Sequence, residues 1–302
     1  MVALSPVIAP SLASFGWTGF GGIRLTASAA GPLGAETDVL FAHGFGQTRH
    51  AWARTMQVLG EQNIASAAWD SRGHGQSDRN AEDVRYAVEQ FIEDALAVRS
   101  TLSTAPVLVG ASLGGLIGLA AQARGANFRA LVLVDVTPKW EISGMQRILA
   151  FMGAHSDGFD DFEHAANEIA AYLPHRKEKK SSADLAQLLV RGNDGRLRWH
   201  WDPRLLEDLA DVARHQDELS DAARQIDVPV LLISGGRSDL VSDETIAHFR
   251  DLVPHAQHVR LPAATHMVAG DDNDAFTRVI IDFITARPHA GSILGTQRGA
   301  QR

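Results

Sequence analysis

A serine hydroxyl is a weak nucleophile near neutral pH and needs a base within hydrogen-bond reach. The stretch Pro106 to Gly118, PVLVGASLGGLIG, contains a serine in the setting such chemistry requires. A short apolar run (Val107, Leu108, Val109) meets Gly110-Ala111-Ser112-Leu113-Gly114, and a small-residue, helix-compatible run continues from Gly115 to Ala123. Strand, G-x-S-x-G and helix in that order make a nucleophile elbow. The sharp turn strains the serine backbone and crowds residues two positions away, so Gly110 and Gly114 remove Cβ atoms that would clash. Ser112 then stands at a helix N-terminus, where free N–H groups and the helix dipole favour a developing anion. The same glycine-rich turn before a helix could instead cradle a phosphate, so the rest of the chain must decide.

A neutral imidazole suits the base, with a carboxylate to orient it. On an open α/β sheet, reactive groups collect in loops at the carboxyl ends of strands. Asp239 follows a strand-like run ending at Ser234, and His266 follows the last one, Gln257 to Leu261. The order Ser112, Asp239, His266 is the order associated with this architecture. Of the 13 histidines, His43 and His74 precede the elbow and fit loop braces. His200 falls among helical segments and suits a packed or solvated role, with substrate contact as the alternative.

The elements that must position these groups can be traced. Strands are expected at Ile23 to Ala29, Asp38 to Ala42, Ile64 to Trp69, Val107 to Val109, Arg129 to Val136, Val228 to Ser234 and Gln257 to Leu261. Apolar residues at helical spacing predict helices over Val88 to Leu102, Asp243 to Leu252 and Asp274 to Ala286. Alternating strands and helices imply a doubly wound, mostly parallel sheet of about eight strands, an α/β class fold. Strand-like runs nearly vanish between Pro138 and about Ile226. Helical segments appear there at Met145 to Met152, Phe162 to Tyr172, Ser182 to Val190 and Arg204 to Leu219. Gly192-Asn193-Asp194-Gly195 could turn a short hairpin into Leu197 to Trp201. The expected organisation is a first core part over 1–137, a helical cap over 138–226, a second core part over 227–288 and a flexible tail over 289–302. Trp140, Phe151, Met152, Trp199 and Trp201 are the candidates to line an apolar pocket.

These motifs together resemble the α/β-hydrolase superfamily. The resemblance spans nearly the whole core: His43-Gly44-Phe45-Gly46, Asp70-Ser71-Arg72-Gly73-His74-Gly75-Gln76-Ser77, the elbow, Gly235-Gly236-Arg237-Ser238-Asp239, and His266 before the final helix. It is nearest the branch holding esterases, cofactor-free haloperoxidases and epoxide hydrolases. The resemblance implies Ser112 as nucleophile, Asp239 as acid and His266 as base, with the backbone N–H groups of Phe45 and Leu113 as the oxyanion hole. Asp135, at the end of the preceding strand, sits where some members keep the acid; otherwise it would brace the entry to the cap. Epoxide and haloalkane hydrolases of this fold carry aspartate at the nucleophile position, so Ser112 argues against both chemistries. Ala111 stands where relatives often carry histidine or another larger residue, which bears on pocket shape.

Composition bounds the partners. The chain has 302 residues, 45% apolar and 21% charged, with a formal net charge of −8 and no cysteine. Thiol catalysis and disulfides are excluded, and a reducing, cytoplasmic setting is the expectation. An acidic chain without a basic block does not suit nucleic acid or an anionic membrane surface. The start, MVALSPVIAPSLASFG, lacks Lys or Arg before Arg24 and carries Pro6 and Pro10, so it is expected to be mature sequence. No H-E-x-x-H or Cys/His ligand set and no GxGxxG after the first strand is present, so neither metal nor cofactor is implied. The expected activity is hydrolysis of a small or medium apolar carboxylic ester or lactone through an acyl-enzyme, by a monomer or homodimer. Carbon–carbon bond hydrolysis and perhydrolase or haloperoxidase chemistry use the same groups. A ligand-binding receptor on a hydrolase fold is the alternative from another class.

Overall fold

Short runs of β-branched and small apolar residues build a sheet whose central strands are covered on both faces, which is why they lack polar alternation. The computed structural model describes residues 12–32, 34–172, 179, 181–208, 215–266, 268 and 273–286. The expected tail over 289–302 and the first eleven residues lie outside the described residues. The strands are β1 (Ala13–Thr18), β2 (Arg24–Ala30), β3 (Val39–Ala42), β4 (Ser66–Trp69), β5 (Val107–Ala111), β6 (Ala130–Val134), β7 (Leu189–Arg191), β8 (Leu197–Trp199), β9 (Val230–Gly235) and β10 (Gln257–Leu261). Eight of them form one sheet in the order β1-β2-β4-β3-β5-β6-β9-β10. Pairing is parallel from β4 through β10, with β1 and β2 antiparallel at one edge.

Parallel neighbours need crossovers, and helices supply them on both faces. The helices are α1 (Ala53–Glu61), α2 (Val88–Ser100), α3 (Leu113–Ala123), α4 (Ile142–Ala154), α5 (Phe162–Tyr172), α6 (Ser182–Leu185), α7 (Arg204–Asp208), α8 (Gln216–Arg224), α9 (Asp243–Leu252) and α10 (Asn273–Thr285). One core layer joins Leu108, Leu131 and Leu133 to Leu116, Leu119 and Phe91. The other joins Val107, Val109, Val132 and Ile233 to Met56, Phe276 and Ile280. The alternation along each strand therefore splits its side chains between two separate apolar layers.

β1 is not marked in the sequence. It is an edge strand whose side chains are mostly exposed, so it lacks an apolar face to reveal it. The expected helix over Ser182 to Val190 is instead the single turn α6 followed by β7. β7 pairs antiparallel with β8, Leu189 opposite Trp199, across the Gly192–Gly195 turn. The expected helix Arg204 to Leu219 begins as α7, and α8 carries its far end, with 209–214 outside the described residues. Everything from α4 to α8, hairpin included, is inserted between the adjacent parallel strands β6 and β9.

Candidate active site

Ser112 joins β5 to α3 with φ 47° and ψ −119°, a left-handed backbone at a non-glycine residue. Such strain costs on the order of 1–3 kcal/mol and persists only where the surroundings enforce it. They do so here by close backbone approach. A Cβ on Gly110 would lie 2.5 Å from the Gly114 carbonyl oxygen, and one on Gly114 would lie 2.4 Å from the Ala42 carbonyl oxygen. Only glycine at both positions lets α3 start this near β3 and β5. The Ser112 N–H donates to the Val134 carbonyl at 3.0 Å, and its own carbonyl accepts from Gly115 and Leu116 at 2.9 and 3.1 Å. The backbone is thus pinned on both sides, and the side chain lines a cavity.

His266 follows β10 and lines the same cavity. Its Nδ1 lies 2.7 Å from Asp135 Oδ2. Asp135 directly follows β6, with φ 49°, and is fully buried. Its Oδ1 accepts from the Gly235 N–H at 2.8 Å, and Oδ2 also accepts from Ser238 Oγ at 2.5 Å. A carboxylate holding three donors in this way orients the ring so that Nδ1 carries the proton and Nε2 is left free to accept one. Among the described residues neither Ser112 Oγ nor His266 Nε2 makes a hydrogen bond. Such contacts commonly tighten only when substrate is bound.

The carboxylate beside His266 is therefore Asp135, and the expectation of Asp239 is corrected. Asp239 pairs with Arg147 of α4. The reason lies in backbone approach: a Cβ on Gly144, one helical turn before Arg147, would sit 2.0 Å from the Asp239 carbonyl oxygen. The inserted helix packs directly on residue 239 and takes its side chain. The end of β9 contributes the Gly235 N–H, and the loop after it contributes Ser238, to hold the carboxylate rather than contributing the carboxylate itself. Neither contact was signalled by residue type, since both residues fit an ordinary tight turn.

The loop after β3 brings Gly44 against the elbow, where a Cβ would lie 3.2 Å from Ser112 Cβ. Beside it, among the described residues, the N–H groups of Phe45 and Leu113 have no acceptor. Two buried histidines hold this loop. His43 Nε2 accepts from the Ser71 N–H at 2.9 Å, so its Nδ1 carries the proton and donates to the Gly44 carbonyl at 2.8 Å. His74 Nε2 accepts from the Gly46 N–H at 3.2 Å, and its Nδ1 donates to the Arg72 carbonyl at 3.1 Å. Burial pushes both imidazoles below their usual range, His74 further because His43 and His200 stand beside it.

The family model described as "Alpha/beta hydrolase family" matches residues 39–279. The chain belongs to the alpha/beta hydrolase family. This hydrolase is 30% identical over 265 residues to Esterase Rv0045c of Mycobacterium tuberculosis, covering 84% of this chain and 85% of that protein. It is 28% identical over 241 residues to the 3-hydroxybutyrate-oligomer hydrolase of Cupriavidus necator, covering 74% of this chain and 80% of that protein. Among solved structures, that of an E-2-(acetamidomethylene)succinate hydrolase superposes with a TM-score of 0.79 at 26% identity, covering 91% of this chain and all of that one.

The cavity of this hydrolase encloses about 460 Å³ beneath α4 and α5. Trp140, Phe151, Met152 and Trp199 line it; Trp201 does not and is corrected. Trp201 packs on the Phe45 ring at 5.2 Å between centroids, and so backs the loop rather than facing the space. Phe151 stacks on Tyr172 at 4.1 Å and Trp199 meets Phe159 edge-on at 5.3 Å, which fixes the apolar wall. Among the described residues no set of three His, Asp or Glu side chains is arranged to hold a metal ion, and no helix is long and apolar enough to cross a membrane.

Proposed function

We propose that this hydrolase cleaves small or medium apolar carboxylic esters through an acyl-enzyme on Ser112. The observation that carries the reading is the 2.7 Å contact of His266 Nδ1 with the buried Asp135, on the wall of the cavity that Ser112 also lines. His266 Nε2 takes the Ser112 proton as Oγ bonds to the acyl carbon. The Phe45 and Leu113 N–H groups hold the oxyanion, each worth about 3 kcal/mol where such donors have been removed in other enzymes. Collapse breaks the ester C–O bond, and the leaving alkoxide takes the proton from His266. Water, deprotonated by the same ring, then attacks the acyl carbon and releases the acid, returning the proton to Ser112. The insertion from α4 to α8 serves as a cap, and its Trp and Met side chains exclude water from the acyl chain.

The apolar wall supports an apolar acyl or alkyl group. The cavity size suits a ligand well short of a polymer. The names of the esterase and of the oligomer hydrolase support an ester as the scissile group.

The test uses chromogenic esters of graded acyl length and an active-site-directed phosphonate. Turnover, with one phosphonate bound per chain at Ser112 and both lost in Ser112→Ala, is the expected result. A folded protein that neither turns over any ester nor labels would overturn it.

A further inference from the structure

His200 lies immediately beyond β8, within the insertion, and is 5% exposed. Its ring reaches out of the insertion into two loops of the sheet. Nδ1 accepts from the Gly75 N–H at 2.7 Å, so the proton is on Nε2, which donates to the Gly46 carbonyl at 3.3 Å. The same Gly46 gives its N–H to His74 Nε2 at 3.2 Å. Both polar groups of one glycine at φ +72° are therefore held by imidazoles, one from the core and one from the insertion. The preceding residue is Phe45, whose ring sits between His74 at 5.6 Å and Trp201 at 5.2 Å. His200 is itself pinned: its N–H donates to the Leu188 carbonyl at 3.0 Å, and its carbonyl accepts from Arg79 at 3.3 Å.

We propose that His200 is a positioning residue that sets the Phe45 N–H for catalysis by clasping Gly46 and Gly75 from the insertion. The proposal rests on the reading of Phe45 as an oxyanion donor. It makes the oxyanion loop a joint product of core and insertion. The site is then complete only while residues 197–201 are seated. The clasp works only with a neutral ring, because a proton on Nδ1 would face the Gly75 N–H with no acceptor. The ring is surrounded by His43 and His74 from the core loops, by Arg79 and, on the favourable side, by Asp70. Burial, with His43 next, depresses its proton affinity and keeps the clasp intact at ordinary pH.

The two halves of the clasp separate by side-chain length. Glutamine can place an N–H donor near the Nε2 position, and asparagine an acceptor near the Nδ1 position. With p-nitrophenyl butyrate and the full chain, His200→Asn should lose at least tenfold in kcat with KM changed less than threefold. His200→Gln should stay within threefold of wild type. Circular dichroism and Tm of both variants separate this from unfolding. A merely structural role would lower both Tm values and leave both kcat values near wild type, and that result would overturn the proposal. Histidine ring ¹⁵N shifts in the wild-type protein test the clasp even if no ester is turned over. A neutral, Nε2-protonated His200 at pH 6 is expected. A cationic or Nδ1-protonated ring there would sink the clasp, whereas failure of turnover alone would count only against the esterase reading.

Discussion

His266 and Asp135 are separated by 131 residues and meet at 2.7 Å, while Asp239 is held by Arg147 of the inserted helix. Two carboxylates follow adjacent parallel strands, and only one touches the imidazole. Replacing Asp135 by Asn keeps the shape but lets the ring take the wrong tautomer. We expect kcat for an ester substrate to fall by about 10³–10⁴-fold in Asp135→Asn, the scale seen for triad acids elsewhere. Asp239→Asn should change kcat less than tenfold. Steady-state kinetics on the two variants decide it, and the opposite ranking would return the acid to position 239.

This choice marks the limit of what could be read from residue types. The elbow was legible because Gly110 and Gly114 have a steric reason that spacing reveals. The parallel strands were legible because burial on both faces makes continuous apolar runs. Which carboxylate meets the imidazole was not legible, since Asp135 directly follows β6 and Asp239 lies in the loop after β9, two parallel strands of the same kind. The decision is made by two close approaches remote in sequence. A Cβ on Gly235 would be 2.4 Å from the Thr265 carbonyl oxygen, which draws the β9 loop under the His266 loop and puts Ser238 at the carboxylate. Gly144 against Asp239 draws the other side chain away. The place of Trp201 and His200 behind the Phe45 loop was hidden for the same reason: an aromatic-rich hairpin carries no mark of which wall it will face.

Glycines inside helices should separate by what surrounds them. Gly114 meets backbone oxygens of β3, and a Cβ there would be 2.4 Å from the Ala42 oxygen; at Gly153 the nearest atom would be Leu206 Cδ1 at 3.8 Å. Gly114→Ala should destabilise by about 1–3 kcal/mol through overpacking and reduce phosphonate labelling of Ser112. Gly153→Ala, late in α4, should stabilise by about 0.5 kcal/mol through helix propensity. Urea unfolding of both variants measures the contrast, and equal effects would contradict the packing described.

The turn that carries His74 stands on a buried ion pair. Arg72 donates through Nε and Nη2 to the two oxygens of Asp94, both at 2.7 Å, and also to the carbonyl of Phe20 and the side chain of Asn80 at 3.0 Å. Burial raises the Asp94 carboxyl in spite of its partner. Removing one member leaves an uncompensated buried charge. Arg72→Met should cost about 3–5 kcal/mol, and pairing it with Asp94→Leu should recover much of that loss. Denaturant midpoints of the single and double variants test this; additive losses would show that the pair itself contributes little.

Acid should loosen the molecule through the histidines that hold the Phe45 loop. His43 and His74 lie below the ordinary imidazole range, chiefly because burial penalises the cation, and His200 is brought down to about 4 for the same reason. A lowered imidazole pKa means that the unfolded chain binds protons first as pH falls through about 6.5. Stability is therefore full above that value and declines as pH drops below it, by up to about 1.4 kcal/mol per pH unit for each ring that stays neutral in the native protein. His50 and His258, lowered by partial burial, act in the same direction. Urea unfolding at pH 7.5, 6.0 and 5.0 should give a slope equivalent to at least about two protons between the lower values. In His200→Gln the slope should shrink by about one proton. A stability flat in pH across this window would mean that these rings are charged in the native protein, and the hydrogen bonds assigned to their bare nitrogens would be wrong.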